Sequence, residues 1–291
     1  MTRVGFIGFG EAAMAFAGAM IKKGAEVGAY DIRMSTADGL AELLKRAEPL
    51  NVKIEGLKEL ISGCHLIIST VTTDVALEVA MGCTRYLTAR HTFIDMNSTS
   101  PKVKQGIAEA ISKSGAKFVE GAILGAIGAT GESTKVLLGG KYSQEISGLL
   151  NELGLNTREF SEEIGQASTF KMIRSVFSKG AEALLIEMLV AGRKAGIDNQ
   201  LWDDIVGFME SRPFSKIASN WLETHAPACE RRYFEMKQVC QTMEEMGLSP
   251  VMSYATEQVF KKSVDKGLKS RFTRKANDYG QVIEALVDKA E

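Results

Sequence analysis

The sequence contains little cysteine, and the cysteines it has are widely spaced. Its 291 residues include four, namely Cys64, Cys83, Cys229 and Cys240. They form neither the close Cys-x-x-Cys pair of a zinc or redox site nor the dense set of a small secreted disulfide protein. We therefore expect reduced cysteines that pack in the core, and no metal site.

Long hydrophobic runs and an excess of one charge are also missing. No stretch reaches the roughly 18 consecutive apolar residues of a membrane span, and the opening MTRVGFIGFG reaches a glycine turn too soon for a signal peptide. The formal net charge of −1 gives no indication of nucleic acid or an anionic membrane as a partner. The sequence predicts a soluble, cytoplasmic protein that binds neither.

The first half of the chain has short apolar runs that alternate with helical patterns. The runs read RVGFIG, EVGAYD, HLIISTV, TFIDM and KFVEGA. Because polar and apolar residues do not alternate within them, they predict strands buried on both faces, as in a parallel sheet covered by helices. Two further runs, TKVLLGG and LNTREF, extend this doubly wound α/β sheet to about residue 160.

Strand signals stop after these runs. From Gly165 onward the pattern is helical, and the segment FKMIRSVFSKGAEALLIEMLVAGRKAG predicts a helix long enough to span a small domain. No Ser/Pro-rich linker, internal repeat or low-complexity tract interrupts the chain. We predict an α/β domain over residues 1–163 and an all-helical domain over residues 164–291, joined by the long helix.

A glycine-rich turn, Gly8-x-Gly10-x-x-Ala13, stands between the first predicted strand and a predicted helix. Gly8 permits a tight turn, Gly10 lets the backbone approach a pyrophosphate, and the helix N-terminus attracts the phosphates. An acidic side chain is unfavourable there, so Glu11 is expected to point to solvent. The predicted dinucleotide contacts are Gly8, Phe9, Gly10, Glu11 and Ala12.

Asp31 ends the second predicted strand, where an acid accepts hydrogen bonds from the ribose hydroxyls of adenosine and repels a 2′-phosphate. This favours NAD. Arg33, two residues later, is able to accommodate that phosphate, so NADP also remains open.

A polar stripe marks the start of the long helix, in QASTFKMIRSVFSKG. On a helix, Lys171, Arg174, Ser175, Ser178 and Glu182 share one side. Such a stripe is typical of the solvated face of an amphipathic helix. On these residues alone, Lys171 is either a surface lysine or a catalytic one.

With the glycine turn, Asp31 and Lys171 in this order, the chain resembles the β-hydroxyacid dehydrogenase family, which includes 3-hydroxyisobutyrate dehydrogenase and relatives of 6-phosphogluconate dehydrogenase. The resemblance covers the whole chain and is more specific in the first half. It implies a Rossmann-type sheet domain, an all-helical C-terminal domain that forms a homodimer, and a nicotinamide cofactor.

The family's second signature reads roughly D-x-S-T-x-x-P, and here DMNSTSP keeps Asp95 and Pro101. Asn97 and Ser98 stand where Ser and Thr are usual. By the resemblance, Val71 and Thr72, at the end of the HLIISTV strand, contact the cofactor, as does Asn97 of the DMNSTSP loop. Ser98 and Thr99 of this loop contact the substrate.

A third signature, D-A-P-V-S-G-G, helps to bind the substrate carboxylate in the family. In EGAILGAIGATG, Gly125 is retained, whereas Glu120 replaces the Asp and Leu124 replaces the Ser. Losing that hydroxyl removes a hydrogen-bond partner, so the family's usual substrate need not fit. In this segment, Leu124 and Gly125 are the predicted substrate contacts.

The family's catalytic signature is G-x-x-x-x-x-K-x-x-N-N, and GQASTFKMIRS supplies Gly165 and Lys171 in that frame. The resemblance makes Lys171 the general acid/base that exchanges the hydroxyl proton, while the cofactor carries the hydride. Arg174 and Ser175 occupy the two asparagine positions as predicted substrate contacts. We expect Arg174, one turn away, to lower the pKa of Lys171 and to bind an anionic substrate.

The sequence thus predicts an NAD(P)-dependent dehydrogenase or reductase that acts on a small, anionic 3-hydroxy acid or its carbonyl partner. Two alternatives stay open, namely an imine reductase on the same fold and a non-catalytic protein that senses a dinucleotide. Arg231, in THAPACERRYFEMKQVC, either binds the substrate anion or forms a surface ion pair with Glu230 or Glu235.

Overall fold

An eight-stranded sheet forms the centre of the first half of the chain in the computed structural model, which describes residues 2–287. The order across the sheet is β3-β2-β1-β4-β5-β6-β7-β8, and every neighbouring pair is parallel except β6 and β7. The strands are β1 (Arg3–Ile7), β2 (Glu26–Tyr30), β3 (Lys53–Ile54), β4 (Leu66–Ser69), β5 (Thr92–Asp95), β6 (Lys117–Leu124), β7 (Lys135–Gly139) and β8 (Asn156–Ser161).

Helices cover both faces of this sheet. They are α1 (Glu11–Lys22), α2 (Ala37–Ala47), α3 (Leu57–Gly63), α4 (Ala76–Cys83), α5 (Pro101–Ser112), α6 (Ile127–Thr130) and α7 (Ser143–Glu152). Successive strand residues point to opposite faces, so that Phe6 and Ile68 pack in one core while Ile7 and Ile67 pack in the other. Two buried faces explain why the strands carry continuous apolar runs.

The chain divides between Val176 and Phe177 into two compact units. The first contains the sheet, and the second is helical. The remaining helices are α8 (Gln166–Ala195), which begins in the first unit and ends in the second, α9 (Asp198–Glu210), α10 (Phe214–Glu223), α11 (His225–Glu245), α12 (Val251–Asp265), α13 (Leu268–Arg271) and α14 (Tyr279–Leu286). The sequence-based domain limits at 163/164 stay a prediction.

The predicted fold class, a doubly wound α/β sheet followed by helices, is confirmed. Two details of the sheet differ from the sequence pattern. β3 has only two residues, too few to show a periodicity, and β7 runs antiparallel to β6. Among residues 2–287, no helix is both long and apolar enough to cross a membrane.

Candidate functional site in the first unit

The carboxyl ends of β1, β2, β4, β5 and β6 lie along one edge of the sheet, because these strands are parallel. This edge is where open α/β sheets bind ligands. It carries four of the predicted segments, namely residues 8–12 after β1, 31–33 after β2, 69–72 at the end of β4 and 95–99 at the end of β5.

Gly8 makes the tight turn that leaves β1. Its φ of +85° lies in the left-handed region, and a Cβ added there would come within 2.6 Å of the Thr70 carbonyl oxygen. Both constraints require glycine. The Thr70 hydroxyl donates to the Gly8 carbonyl oxygen at 2.9 Å, and so ties the turn to the end of β4.

Asp31 ties the same turn to the end of β2. Its Oδ2 accepts from the Phe9 backbone N–H at 2.9 Å, and its Oδ1 accepts from the Arg33 backbone N–H at 3.0 Å and from Arg33 Nε at 3.2 Å. Burial by itself raises the pKa of Asp31, but the hydrogen bonds from Arg33 and Phe9 together hold the pKa below its usual value. The acid is therefore a charged anchor, and Arg33 partly neutralises it.

The N-terminus of α1 is open to an anion. Gly10 caps this helix without a side-chain hydrogen bond, and a Cβ added to Gly10 would meet nothing within 4 Å. The first backbone N–H groups of a helix have no partner inside the helix and favour negative charge. Glu11 is exposed and Ala12 is half-buried. This space and these donors fit the pyrophosphate of a dinucleotide.

A buried lysine, Lys104 of α5, holds the end of β5. Its Nζ donates to the Asp95 carbonyl oxygen at 2.7 Å, to Asp95 Oδ2 at 2.5 Å and to the Gly121 carbonyl oxygen at 3.2 Å. These three acceptors match the three N–H groups of an ammonium. Asn97 Nδ2 donates to Asp95 Oδ1, and also to Ser69 Oγ at 3.0 Å. The charges and amides at this edge are therefore fixed in place.

Two buried polar atoms beside this network, Asn97 Oδ1 and Thr99 Oγ1, have no hydrogen-bond partner among residues 2–287. Leaving such atoms unpaired is unfavourable, so each is an open position for a hydrogen bond from a bound molecule. Together with the open turn at Gly10, these atoms fit a polar cofactor along the sheet edge. The side chains of Val71 and Thr72 lie at the same edge, half-buried and exposed respectively.

Lys171 of α8 reaches this edge from the start of the long helix. Its Nζ donates to Ser98 Oγ, three residues beyond the end of β5. Burial, and after it the positive charge of Lys104, lower the pKa of Lys171 to about 8. The expectation that Arg174 lowers this pKa is wrong, because Arg174 is exposed and does not contribute to the shift. The lysine is partly buried and is not a plain surface residue.

The remaining predicted substrate contacts are half-buried or exposed. Leu124 is half-buried at the end of β6, and Gly125 is exposed with a φ of +124°. Ser175 Oγ donates back to the Lys171 carbonyl oxygen at 2.9 Å. Arg231 belongs to α11 in the second unit, where its guanidinium pairs with the carboxylate of Glu235.

Sequence reasoning overlooked Lys104 and gave Glu120 no role beyond a replaced Asp. Both side chains are fully buried. A signal for Lys104 does exist, because Lys104, Ile107 and Ile111 follow each other at i, i+3 and i+7 and therefore share the buried stripe of α5. A lysine on the buried stripe of a helix needs a buried hydrogen-bond acceptor for its ammonium group, and here that acceptor is Asp95.

Known proteins support the same interpretation of the sheet unit. The family described as the NAD binding domain of 6-phosphogluconate dehydrogenase matches residues 3–157, and a domain of unknown function, DUF1932, matches residues 193–263. An uncharacterized protein of Methanothermus fervidus is 30% identical over 89% of this chain and 98% of its own length.

Two further proteins extend the comparison. The glyoxylate/succinic semialdehyde reductase 1 of Arabidopsis thaliana is 25% identical over 97% of this chain and 98% of its own length. An imine reductase from Myxococcus stipitatus, solved in complex with NADP+, has a TM-score of 0.76 and 17% identity over 94% of this chain and all of its own, a likeness that concerns the fold alone.

The residues at the sheet edge fit a nicotinamide dinucleotide, and the family match makes this the cofactor, with NAD and NADP both compatible. The resemblance stated from the sequence is thereby confirmed. The chain belongs to the family described by the NAD binding domain of 6-phosphogluconate dehydrogenase, as a divergent member of the β-hydroxyacid dehydrogenases.

Proposed function

We propose that this chain is an NAD(P)-dependent dehydrogenase or reductase that acts on a small 3-hydroxy acid or its carbonyl partner, with Lys171 as the general acid/base. The observation that carries the proposal is the position of Lys171, which is held by Ser98 at the ligand-binding edge of the sheet with a pKa of about 8. A group with a pKa near working pH exchanges protons in both directions.

The chemistry divides between cofactor and chain. When bound, the nicotinamide supplies or accepts the hydride. In the oxidation, neutral Lys171 Nζ accepts the proton of the substrate hydroxyl while the C–H electron pair leaves as hydride and a carbonyl forms. In the reduction, the Lys171 ammonium donates that proton to the carbonyl oxygen. Ser98, whose hydroxyl accepts from Lys171, keeps the amine at this position.

We assign the substrate contacts of the first unit to Ser98, Thr99, Leu124, Gly125, Arg174 and Ser175. Arg174 follows Lys171 by one helical turn, is exposed, and has no hydrogen bond or ion pair with any described residue. A free guanidinium suits a carboxylate, to which it donates two parallel hydrogen bonds. The Arabidopsis relative is named for glyoxylate and succinic semialdehyde, both of which carry a carboxylate. This supports a small anionic substrate.

The test is a screen of hydroxy acids with NAD and with NADP, followed at the absorbance of the reduced nicotinamide. We expect turnover of a short 3-hydroxy acid. Replacing Arg174 by glutamine, which keeps most of the volume but removes the charge, should raise KM about tenfold, equivalent to about 1.4 kcal/mol, and change kcat little. Arg193→Gln, at an exposed arginine of the same helix, is the control.

Each other result of this screen contradicts the proposal in its own way. Reduction of imines without any turnover of hydroxy acids would support an imine reductase. Tight binding of the cofactor without turnover of any compound would support a dinucleotide sensor. An unchanged KM in Arg174→Gln would remove this arginine from the substrate site.

We also propose that the functional form is a homodimer, and that it works in the cytoplasm. On α8, the apolar side chains Leu184, Ile186 and Val190 are each about half exposed in the second unit. Beside them lies an apolar groove of about 630 Å³, lined by Leu184, Met188, Leu201, Val239, Met243 and Met246 among others. An exposed apolar surface of this kind marks an interface, and a second copy brings the same helix and groove to a two-fold pairing.

Light scattering after size exclusion should give twice the mass of one chain. The double variant Leu184→Glu, Ile186→Glu should give the mass of one chain, because charges buried in an apolar interface are strongly unfavourable. Ser178→Glu, which adds a charge at an exposed polar position of α8, should remain dimeric. A wild-type protein with the mass of one chain would refute the dimer.

A further inference from the structure

Glu120 is a fully buried acid of β6 that has no part in the proton transfer described above. Among residues 2–287, the hydrogen bonds of its side chain all go to the start of α8 and to Gly165, which precedes it. Oε1 accepts from the backbone N–H groups of Gly165 at 2.8 Å and of Ala167 at 3.1 Å, and Oε2 accepts from Ser168 Oγ at 2.8 Å. One side chain thus joins the centre of the sheet to the first turn of the helix that carries Lys171.

These hydrogen bonds act as a cap supplied from a distant part of the chain. The first N–H groups of a helix have no acceptor within the helix, and an acidic side chain there also complements the positive end of the helix dipole. Caps normally come from the residue that precedes the helix, but that residue is Gly165, which has no side chain. Glu120 takes that role across 45 residues of sequence.

The packing around this cap leaves little freedom. Ala167 is fully buried against Ala122 and Leu137. Gly139 lies opposite Glu120 on the neighbouring strand, and a Cβ there would overlap the Glu120 carboxyl group, so the absence of a side chain at Gly139 makes room for it. The Glu120 carboxyl group therefore has a defined position beside Gly139 of the neighbouring strand. Its hydrogen bonds in turn hold the first turn of α8 in place.

Lys171 follows Ser168 by three residues, so it lies on nearly the same side of α8 one turn further along. Its amine reaches Ser98 only if the first turn of α8 keeps its place on the sheet. We propose that Glu120 is a positioning residue, which sets the place of Lys171 by capping α8 and so keeps the amine beside Ser98. This inference rests on the proposed role of Lys171 in proton transfer.

Two substitutions separate the cap from the bulk of the side chain. In Glu120→Gln, the amide oxygen still accepts from Gly165 and Ala167, and the amide nitrogen donates to Ser168 Oγ, whose own proton turns to the Gly165 carbonyl oxygen 3.2 Å away. Glutamine thus preserves the cap without the charge. In Glu120→Ala, the backbone N–H groups of Gly165 and Ala167 lose their acceptor in a buried place, and the Ser168 hydroxyl keeps only the Gly165 carbonyl oxygen.

The first measurement needs no substrate. The rate at which a small amine-reactive reagent labels Lys171, followed by mass spectrometry across pH, gives the apparent pKa of this lysine. Wild type and Glu120→Gln should titrate near the value of about 8. In Glu120→Ala the released turn exposes the amine to water, so the apparent pKa should rise toward about 10.4.

The second measurement uses the substrate found in the screen. Glu120→Ala should lower kcat about tenfold to a hundredfold, as small misplacements of a catalytic group do, with much less change in the dissociation constant of the dinucleotide. Glu120→Gln should keep most of the wild-type kcat. The control is Leu150→Ala, which destabilises the first unit at a fully buried position of α7 while leaving α8 in place.

An unchanged labelling profile of Lys171 in Glu120→Ala would overturn the inference, as would equal effects of Leu150→Ala and Glu120→Ala on that profile. If the wild type oxidises no hydroxy acid but the labelling profile shifts as expected, the proposed reaction fails while the positioning by Glu120 stands. If the reaction is found and the profile does not move, only the positioning role fails.

Discussion

Replacing Lys171 by methionine is expected to lower kcat by about 10²- to 10⁴-fold, the usual contribution of a positioned general acid or base. Methionine keeps the length of the side chain but has no proton to exchange. The dinucleotide contacts that we predict lie in the turn after β1 and at Asp31, away from Lys171, so cofactor affinity should stay near that of the wild type. Steady-state kinetics and a cofactor titration on the same preparation give both values.

Lys179→Met is the matched control, because Lys179 is an exposed lysine of the same helix that pairs with Glu182. Its kcat should equal that of the wild type. Normal turnover in Lys171→Met would rule out this lysine as the proton carrier and leave the proposed mechanism without a base.

The pH dependence follows from the same lysine. Oxidation needs the neutral amine, so its rate should rise with pH and level off above the pKa of about 8. Reduction needs the ammonium, so its rate should fall as pH passes upward through that value. The two profiles are therefore mirror images about one pKa, and Lys171→Met should abolish this inflection in both directions.

Replacing Lys104 by methionine is expected to lower the free energy of unfolding of the first unit by about 3–5 kcal/mol, because Asp95 is left as an unpaired buried charge. Both members of this pair are fully buried. The double variant Lys104→Met, Asp95→Asn removes both charges, and should recover part of the loss. Loss of the nearby positive charge should also raise the pKa of Lys171 toward its ordinary value.

Urea unfolding followed by far-UV circular dichroism reports on both units, because both contain helices, while tryptophan emission reports on the helical unit, since Trp202 and Trp221 both lie there. The part of the circular dichroism transition that tryptophan emission does not follow therefore belongs to the sheet unit. The circular dichroism transition should move to lower urea in Lys104→Met. Lys22→Met, which breaks the exposed pair of Lys22 with Glu132, should move it far less. Equal shifts of the urea transition in these two variants would show that the buried pair contributes no more to stability than the exposed pair.

The sequence was sufficient to predict those local elements that have a characteristic residue pattern. The apolar runs located seven of the eight strands, because burial on two faces restricts the residue types. The glycine turn was also predicted correctly as a turn between β1 and α1, and its role in binding the dinucleotide stays a prediction. The sequence was insufficient for β3, which is too short for a pattern, and for the direction of β7, because an apolar run reads the same for parallel and antiparallel pairing.

The amino-acid sequence by itself determined that the chain has a Rossmann-type sheet, a long helix and a lysine at the start of that helix. Only the tertiary structure decided which groups act on this lysine. Lys104 lowers its pKa, and Glu120 caps its helix, from positions 67 and 51 residues earlier in the chain. Such contacts depend on strand order and register, as where β5 pairs Asp95 with Glu120 of β6, and these are set by how the elements pack together.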